Sequence, residues 1–333
     1  MCIFDKIFVM MLQGVINRMN QLGINRTPFL FIIDFDMKKP IVLPISEVSP
    51  ETILFSINGV TNYAGHSIEK VTDPDFEAYP VSKERYRKAF NLIQNHIHYG
   101  DSFLLNLTMP SHVSTNLSLK DIFYATSAKY KLWIKDQFVV FSPEIFVQTT
   151  GSNICSFPMK GTMDASLPNA EEKLLNSKKE LAEHYTIVDL IRNDLSMVAK
   201  NVRVERFRYI DRIKTHRGSL LQMSSEIVGK LPENYRDTLG DIIFKMLPAG
   251  SISGAPKKKT LEIIKDAEKY DRGYYTGIMG IFDGENIDSG VMIRFIEQTS
   301  GGLVYKSGGG ITSQSNMNEE YQELKDKIYI PIK

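Results

Sequence analysis

The chain has 333 residues, with 40 Lys and Arg against 39 Asp and Glu, six His and two Cys. A formal charge of +1 excludes the basic excess expected of a nucleic-acid binder, and 43% hydrophobic with 24% charged residues excludes a disordered chain. Cys2 and Cys155 are too few for a disulfide framework or a four-cysteine zinc site, so reduced cytoplasm is the expected compartment.

The apolar opening, Met1 to Val15, is interrupted by Asp5 and Lys6 and has no small-residue cleavage site, so neither a signal peptide nor a membrane span is expected. Strand patterns follow at 29–35, 41–44 and 52–57, rich in β-branched and aromatic residues. A helix is predicted over 82–98, where Tyr86, Phe90, Ile93 and Ile97 recur at three and four residues. Strands are expected at 103–108, 131–134, 138–141 and 145–149, then one long helix over 170–199. Strands at 202–209 and 219–228 precede helices at 236–246 and 256–269. Strands at 277–282, 287–298 and 303–307 lead to a Gly308–Gly310 turn and a last helix over 316–330. Mixed runs without a strand–helix–strand rhythm predict α+β architecture with largely antiparallel sheet. No linker or repeat divides the sequence. A single domain over 1–333 is expected, with a short strand-rich portion (1–80) before the motif-bearing portion (81–330).

Several residues suggest chemistry, each beside a plainer reading. Glu180 and Glu183, and again Glu320 and Glu323, sit three apart on predicted helices and so share a face. Such pairs suit Mg²⁺, or simply form a solvated face with the nearby lysines. The small-residue loop 247–257 offers backbone N–H groups to an anion, or is only a helix entry. Lys160, in Phe-Pro-Met-Lys-Gly-Thr, reads as a desolvated amine of lowered pKa suited to nucleophilic attack, or as a surface lysine. Glu144, after Ser142-Pro143, reads as a general acid or a turn residue. These readings name no reaction by themselves.

Taken together, seven blocks resemble the chorismate-utilising enzymes: anthranilate, aminodeoxychorismate, isochorismate and salicylate synthases. They are SPE (142–144), FPMKGT (157–162), ELAEHYTIVDLIRNDL (180–195), PAGSISGAPKKKTLEII (248–264), RGYYTGIMG (272–280), the VMIR ending at Arg294, and SGGGITSQSNMNEEYQELKDK (307–327). They fall in the family's order across residues 80–330. The resemblance implies two β-sheets packed face to face with helices outside. It also implies Glu183 and Glu323 as Mg²⁺ ligands, with Glu180 and Glu320 as companions. Tyr275 and Arg294, with backbone N–H groups of Gly308, Gly309 and Gly310, are implied for the enolpyruvyl carboxylate. Lys327 is implied near the metal end, Ser251 and Gly254 at the pocket floor, Thr162 beside the substrate, and Glu144 as the acid that protonates the departing 4-hydroxyl.

Within that family, isochorismate and salicylate synthases carry a water-activating lysine where SFLLNL (102–107) places Leu104. Anthranilate synthases have alanine where this chain has Lys160, and aminodeoxychorismate synthases have lysine. The resemblance therefore implies amination of chorismate through a covalent bond to Lys160, with anthranilate synthesis or an inactive or partner-dependent binding subunit as alternatives. It further implies ammonia from a separate glutamine amidotransferase, since neither cysteine sits in a glutaminase motif. Gln222 replaces the family's usual histidine, and Leu324 a usual threonine.

Overall fold

The computed structural model describes residues 3–64, 75–215 and 218–332. Helix α1 (Ile3–Ile24) is followed by β1 (Phe29–Ile33), β2 (Ile41–Pro44), β3 (Ile53–Ile57), β4 (Val60–Thr61) and β5 (Phe76–Tyr79). Next come α2 (Lys83–His98), β6 (Leu104–Thr115) and α3 (Leu119–Ala125). Strands β7 (Tyr130–Ile134), β8 (Phe138–Ser142), β9 (Ile145–Thr150), β10 (Asn153–Ser156) and β11 (Met159–Asp164) lead to α4 (Ala170–Asn176) and α5 (Lys178–Ser196). The long pair β12 (Lys200–Thr215) and β13 (Gly218–Lys230) precedes α6 (Leu239–Met246), β14 (Gly254–Ala255) and α7 (Lys257–Glu268). Strands β15 (Ile278–Phe282), β16 (Ile287–Val291), β17 (Phe295–Thr299) and β18 (Gly302–Thr312) run into α8 (Met317–Asp326).

Among the described residues the strands form two nine-stranded sheets. One runs β11-β13-β10-β9-β16-β15-β1-β2 with β12 on β13, and the other β14-β6-β18-β17-β8-β7-β3-β4 with β5 on β6. The pairings within both are antiparallel. Strand β1 explains the layering. Leu30 and Ile32 point into a core shared with Phe55 of β3, Leu132 of β7 and Val140 of β8, which joins the two sheets face to face. Phe29, Phe31 and Ile33 point the other way, against α1, α5 and α6. Burial on both faces explains an unbroken apolar run, each such side chain contributing about 1.5–3 kcal/mol. The second sheet's outer face is covered by α2, α7 and α8 through Phe90, Ile93, Ile263 and Leu324. The expected α+β sandwich of antiparallel sheets with outer helices is the fold observed. Among the described residues no helix is long and apolar enough to cross a membrane.

Three sequence expectations are corrected, and one element for which there was none is added. The stretch 170–199 is two helices, because Ser177 leaves helical geometry and caps α5 by accepting from the Glu180 N–H. The stretch 287–298 is two strands, broken at Arg294, whose φ is 55°. Gly308–Gly310 form no turn: β18 continues through them, paired with β6. The N-terminal portion carries a 22-residue helix, α1, packed on α6 so closely that a side chain on Gly240 would collide with the Ile16 backbone.

Candidate active site

The edge of β18 opens the site. Thr108 and Asn106 of β6 send their N–H groups to Glu268 Oε1 (2.7 Å) and Ser253 O (3.1 Å), away from β18. Their partners Gly308 and Gly310 therefore turn their own backbone groups outward as well, as non-hydrogen-bonded pairs do. Strand β17 pairs only as far as Lys306, so this edge lies beyond its end. Lys327 Nζ reaches the Gly308 carbonyl at 2.8 Å. The outward N–H groups fit an anion, as the resemblance implies, although from a strand edge rather than a turn.

Four carboxylates surround this edge. A Cβ on Gly309 would lie 3.4 Å from Glu323 Oε1 and 3.6 Å from Glu320 Oε2, in contact with both carboxylates, so a side chain larger than a methyl would press on them. Glu320 is buried and accepts from Ser315 Oγ at 2.9 Å. Opposite, a bulge in β11 between Met159 and Thr162 turns Lys160 inward, and Gly161 (φ 78°) lies against the Glu180 carboxylate. Lys160 Nζ stands 2.7 Å from Glu183 Oε2, with side-chain exposures of 23% and 11%. Lys327 Nζ stands 2.6 Å from Glu323 Oε1.

The Lys160 setting differs from expectation. Burial alone would lower its pKa, but the charges of Glu183, Glu323 and Glu180 outweigh burial and raise it. The surroundings are acidic rather than apolar, because α5 and α8 bring carboxylates far away in sequence. Lys327 moves the other way: burial and the nearby Lys160 charge lower its pKa despite Glu323.

Glu144 lies between β8 and β9. Its N–H donates to Ser142 Oγ (3.1 Å), its carbonyl accepts from the Val291 N–H (3.0 Å), and its carboxylate accepts from Ser251 Oγ (2.9 Å). Burial raises its pKa, against Ser251 and the positive charges of Lys160, Lys327 and Arg294. Ser251 sits on a short turn fixed by Asp194, which accepts from the Gly250 N–H (2.7 Å) and pairs with Lys257 (2.8 Å). Gly254, at φ 127°, lets that loop approach β6 so closely that a Cβ would strike Leu104 O. Leu104 is buried and its Cδ1 faces the same side of Gly310 as Lys160 Nζ, each 3.8 Å from the Cβ position.

Tyr275 is buried against Phe295, and burial pushes its phenol well above the usual range. The Arg294 guanidinium lies over Tyr329 at 5.3 Å, and its buried Nε has no hydrogen-bond partner. The Thr162 backbone pairs with Gln222, while its side chain lies outside the described residues.

Carboxylate oxygens in excess of the two lysines fit Mg²⁺ in donor type and charge. Among the described residues no three such groups converge closely enough to grip an ion as they stand, since Lys160 engages Glu183 and Lys327 engages Glu323. Sequence reasoning missed the supports. Arg272 and Glu268, 2.6 Å apart and fully buried, tie α7 to β6 through Thr108 and to the Ile252 carbonyl. Their four-residue spacing was the available signal. His184, with its pKa lowered by burial to about 4, bonds Ser225 Oγ at 2.6 Å.

The chain is similar to several known proteins. A protein of Haemophilus influenzae, called an uncharacterised PabA-like protein, is 52% identical over 322 residues, covering 96% of this chain and 97% of its own. Aminodeoxychorismate synthase component 1 of Bacillus subtilis is 31% identical over 267 residues, covering 76% of this chain and 56% of its own, so this chain spans about half of that relative. The menaquinone-specific isochorismate synthase MenF of Escherichia coli superposes with a TM-score of 0.71 at 14% identity, over 95% of this chain and 80% of its own, a likeness of fold. Residues 49–333 match the chorismate binding enzyme family, and the chain belongs to it.

Proposed function

We propose that this protein is an aminodeoxychorismate synthase component I: it replaces the C4 hydroxyl of chorismate with an amine from ammonia and keeps the enolpyruvyl ether. The supporting observation is that Glu144, held by Ser251 at 2.9 Å and of raised pKa, feels the charge of Lys160, whose Nζ stands beside the open edge of β18, 3.8 Å from the Gly310 Cβ position.

In this reading Lys160, once relieved of the proton its ion pair with Glu183 stabilises, attacks C2. Both ring double bonds shift and the C4–O bond breaks as Glu144 supplies the proton that completes water. Ammonia then attacks C4, both double bonds shift back and the C2–N bond breaks. Lys160 leaves with its electron pair, and the proton shed by the new amine restores Glu144. Two allylic displacements return the entering nitrogen to the carbon that lost oxygen. Tyr275, Arg294 and the outward N–H groups of Gly308 and Gly310 hold the enolpyruvyl carboxylate. Ser251 keeps Glu144 aimed.

Glu183 and Glu323, with Glu180 and Glu320 behind them, would hold Mg²⁺. When bound, the ion supplies charge neutralisation for the ring carboxylate and disfavours the ammonium form of Lys160. Leu104 offers no base for water, which speaks against isochorismate formation. Ammonia in this proposal comes from a separate glutamine amidotransferase subunit, consistent with a relative named as a component 1.

The test incubates the purified chain with chorismate, Mg²⁺ and ammonium, and identifies the product by mass-resolved chromatography. A product with NH₂ in place of OH and its enolpyruvyl group intact supports the reading. Anthranilate plus pyruvate would replace it with anthranilate synthesis. Untouched chorismate, also after addition of an amidotransferase, would leave a binding subunit.

A further inference from the structure

Asn106 lies inside this pocket and has no part in the steps above. Its main chain is fully engaged, the N–H with Ser253 O (3.1 Å) and the carbonyl with Arg272 Nη2 (2.6 Å). Its side chain is not: Oδ1 is buried and has no hydrogen-bond partner. The face is set by the pleat. Leu105 and Leu107 point into the helix-covered core, so Leu104 and Asn106 point to the opposite side. Asn106 is also the cross-strand partner of Gly310, and partners share a face. On that face the Gly310 Cβ position is 3.8 Å from Lys160 Nζ. The loop bonded to Asn106 through Ser253 also carries Ser251, which holds Glu144 at 2.9 Å.

A buried carbonyl oxygen without a donor carries a desolvation penalty that a matching ligand removes. The chemistry of the matching group is restricted. Chorismate as a dianion offers two carboxylates and an ether oxygen, all acceptors, and owns one hydrogen-bond donor, the C4 hydroxyl. We infer that Asn106 Oδ1 accepts a hydrogen bond from that hydroxyl, turning its oxygen lone pair toward Glu144 and making the carboxamide a selector for a hydroxylated C4. This rests on the chorismate reading above and adds a residue to it.

Binding of chorismate and of an analogue with hydrogen in place of the C4 hydroxyl, measured by calorimetry with Mg²⁺ in ammonia-free buffer, tests the inference. Lys160→Ala is the background throughout, so that no covalent adduct contributes and wild type and variant differ only at Asn106. Wild type should prefer chorismate by about ten- to hundredfold. Asn106→Leu should weaken chorismate to the level of the analogue and leave the analogue unchanged. A variant that keeps the wild-type preference, or a wild type with no preference, overturns the role of Asn106. If Asn106→Leu fails a circular-dichroism melt, Asn106→Ala replaces it, and the wild-type preference stands as an independent arm. A wild type that binds neither compound overturns the chorismate reading, and this inference with it.

Discussion

Lys160 Nζ donates to Glu183 Oε2 at 2.7 Å, so the amine proposed as nucleophile is ion-paired with a carboxylate proposed as metal ligand. One group cannot fully serve both. Removing the amine should therefore free Glu183. Lys160→Met is expected to tighten Mg²⁺ binding in the absence of chorismate by about tenfold, the effect of some 1.4 kcal/mol in a partly exposed pair. Titration calorimetry with Mg²⁺ alone reads it. Unchanged or weaker binding would mean that Lys160 and the ion do not compete.

Glu144 should control the proton step. Replacing it by Gln keeps the Ser251 contact but removes the acid, and kcat should fall about 10²–10⁴-fold with little change in KM. Because burial raises its pKa, the acid form persists to higher pH than an ordinary glutamate allows. The wild-type rate should fall as pH rises through that raised value. The Gln variant, with no such proton to lose, should lack that limb in a pH profile of kcat.

Gly309 should be intolerant for space rather than for backbone conformation. A Cβ there already meets Glu323 at 3.4 Å, and a branched side chain would press both Glu320 and Glu323 aside. Gly309→Val is expected to weaken Mg²⁺ and chorismate binding by about tenfold or more, while the melting temperature moves far less than for a core substitution. A folded variant with unchanged binding of both would contradict this.

Glu268 supports the site from outside. Its carboxylate pairs with Arg272 and accepts from the Thr108 N–H and Oγ1, all without solvent. Glu268→Gln leaves Arg272 buried and uncompensated, and should cost about 3–5 kcal/mol by denaturant unfolding. A loss below 1 kcal/mol would mean that the network relaxes around the change.

Local pattern carried most of the architecture. Tyr86, Phe90, Ile93 and Ile97 marked α2 through a period that burial then enforces. FLFII marked β1 because both its faces are covered. Helix α1 was hidden because the run Ile7–Leu12 is apolar on every side of a helix, with Ile7 and Met10 mostly exposed, and shows no helical period. The three glycines resembled a turn because local preference cannot register their pairing with Leu107 and its neighbours on a strand two hundred residues earlier. The same distance in sequence misled the reading of Lys160. Phe157 and Pro158 suggested an apolar setting, whereas the fold surrounds the amine with carboxylates from α5 and α8. The bond from Ser251 to Glu144 was likewise invisible to local pattern, since it joins residues 107 apart.

The central claim is that Lys160 bonds covalently to the substrate ring. Intact-protein mass spectrometry on the chain mixed with chorismate and Mg²⁺ in ammonia-free buffer addresses it directly. The account predicts an adduct equal to chorismate less one water on the wild type, located to Lys160 by peptide mapping, discharged by ammonium and absent from Lys160→Ala. An adduct-free wild type that still aminates chorismate at C4, or a Lys160→Ala variant that makes the same product at the same rate, would contradict it.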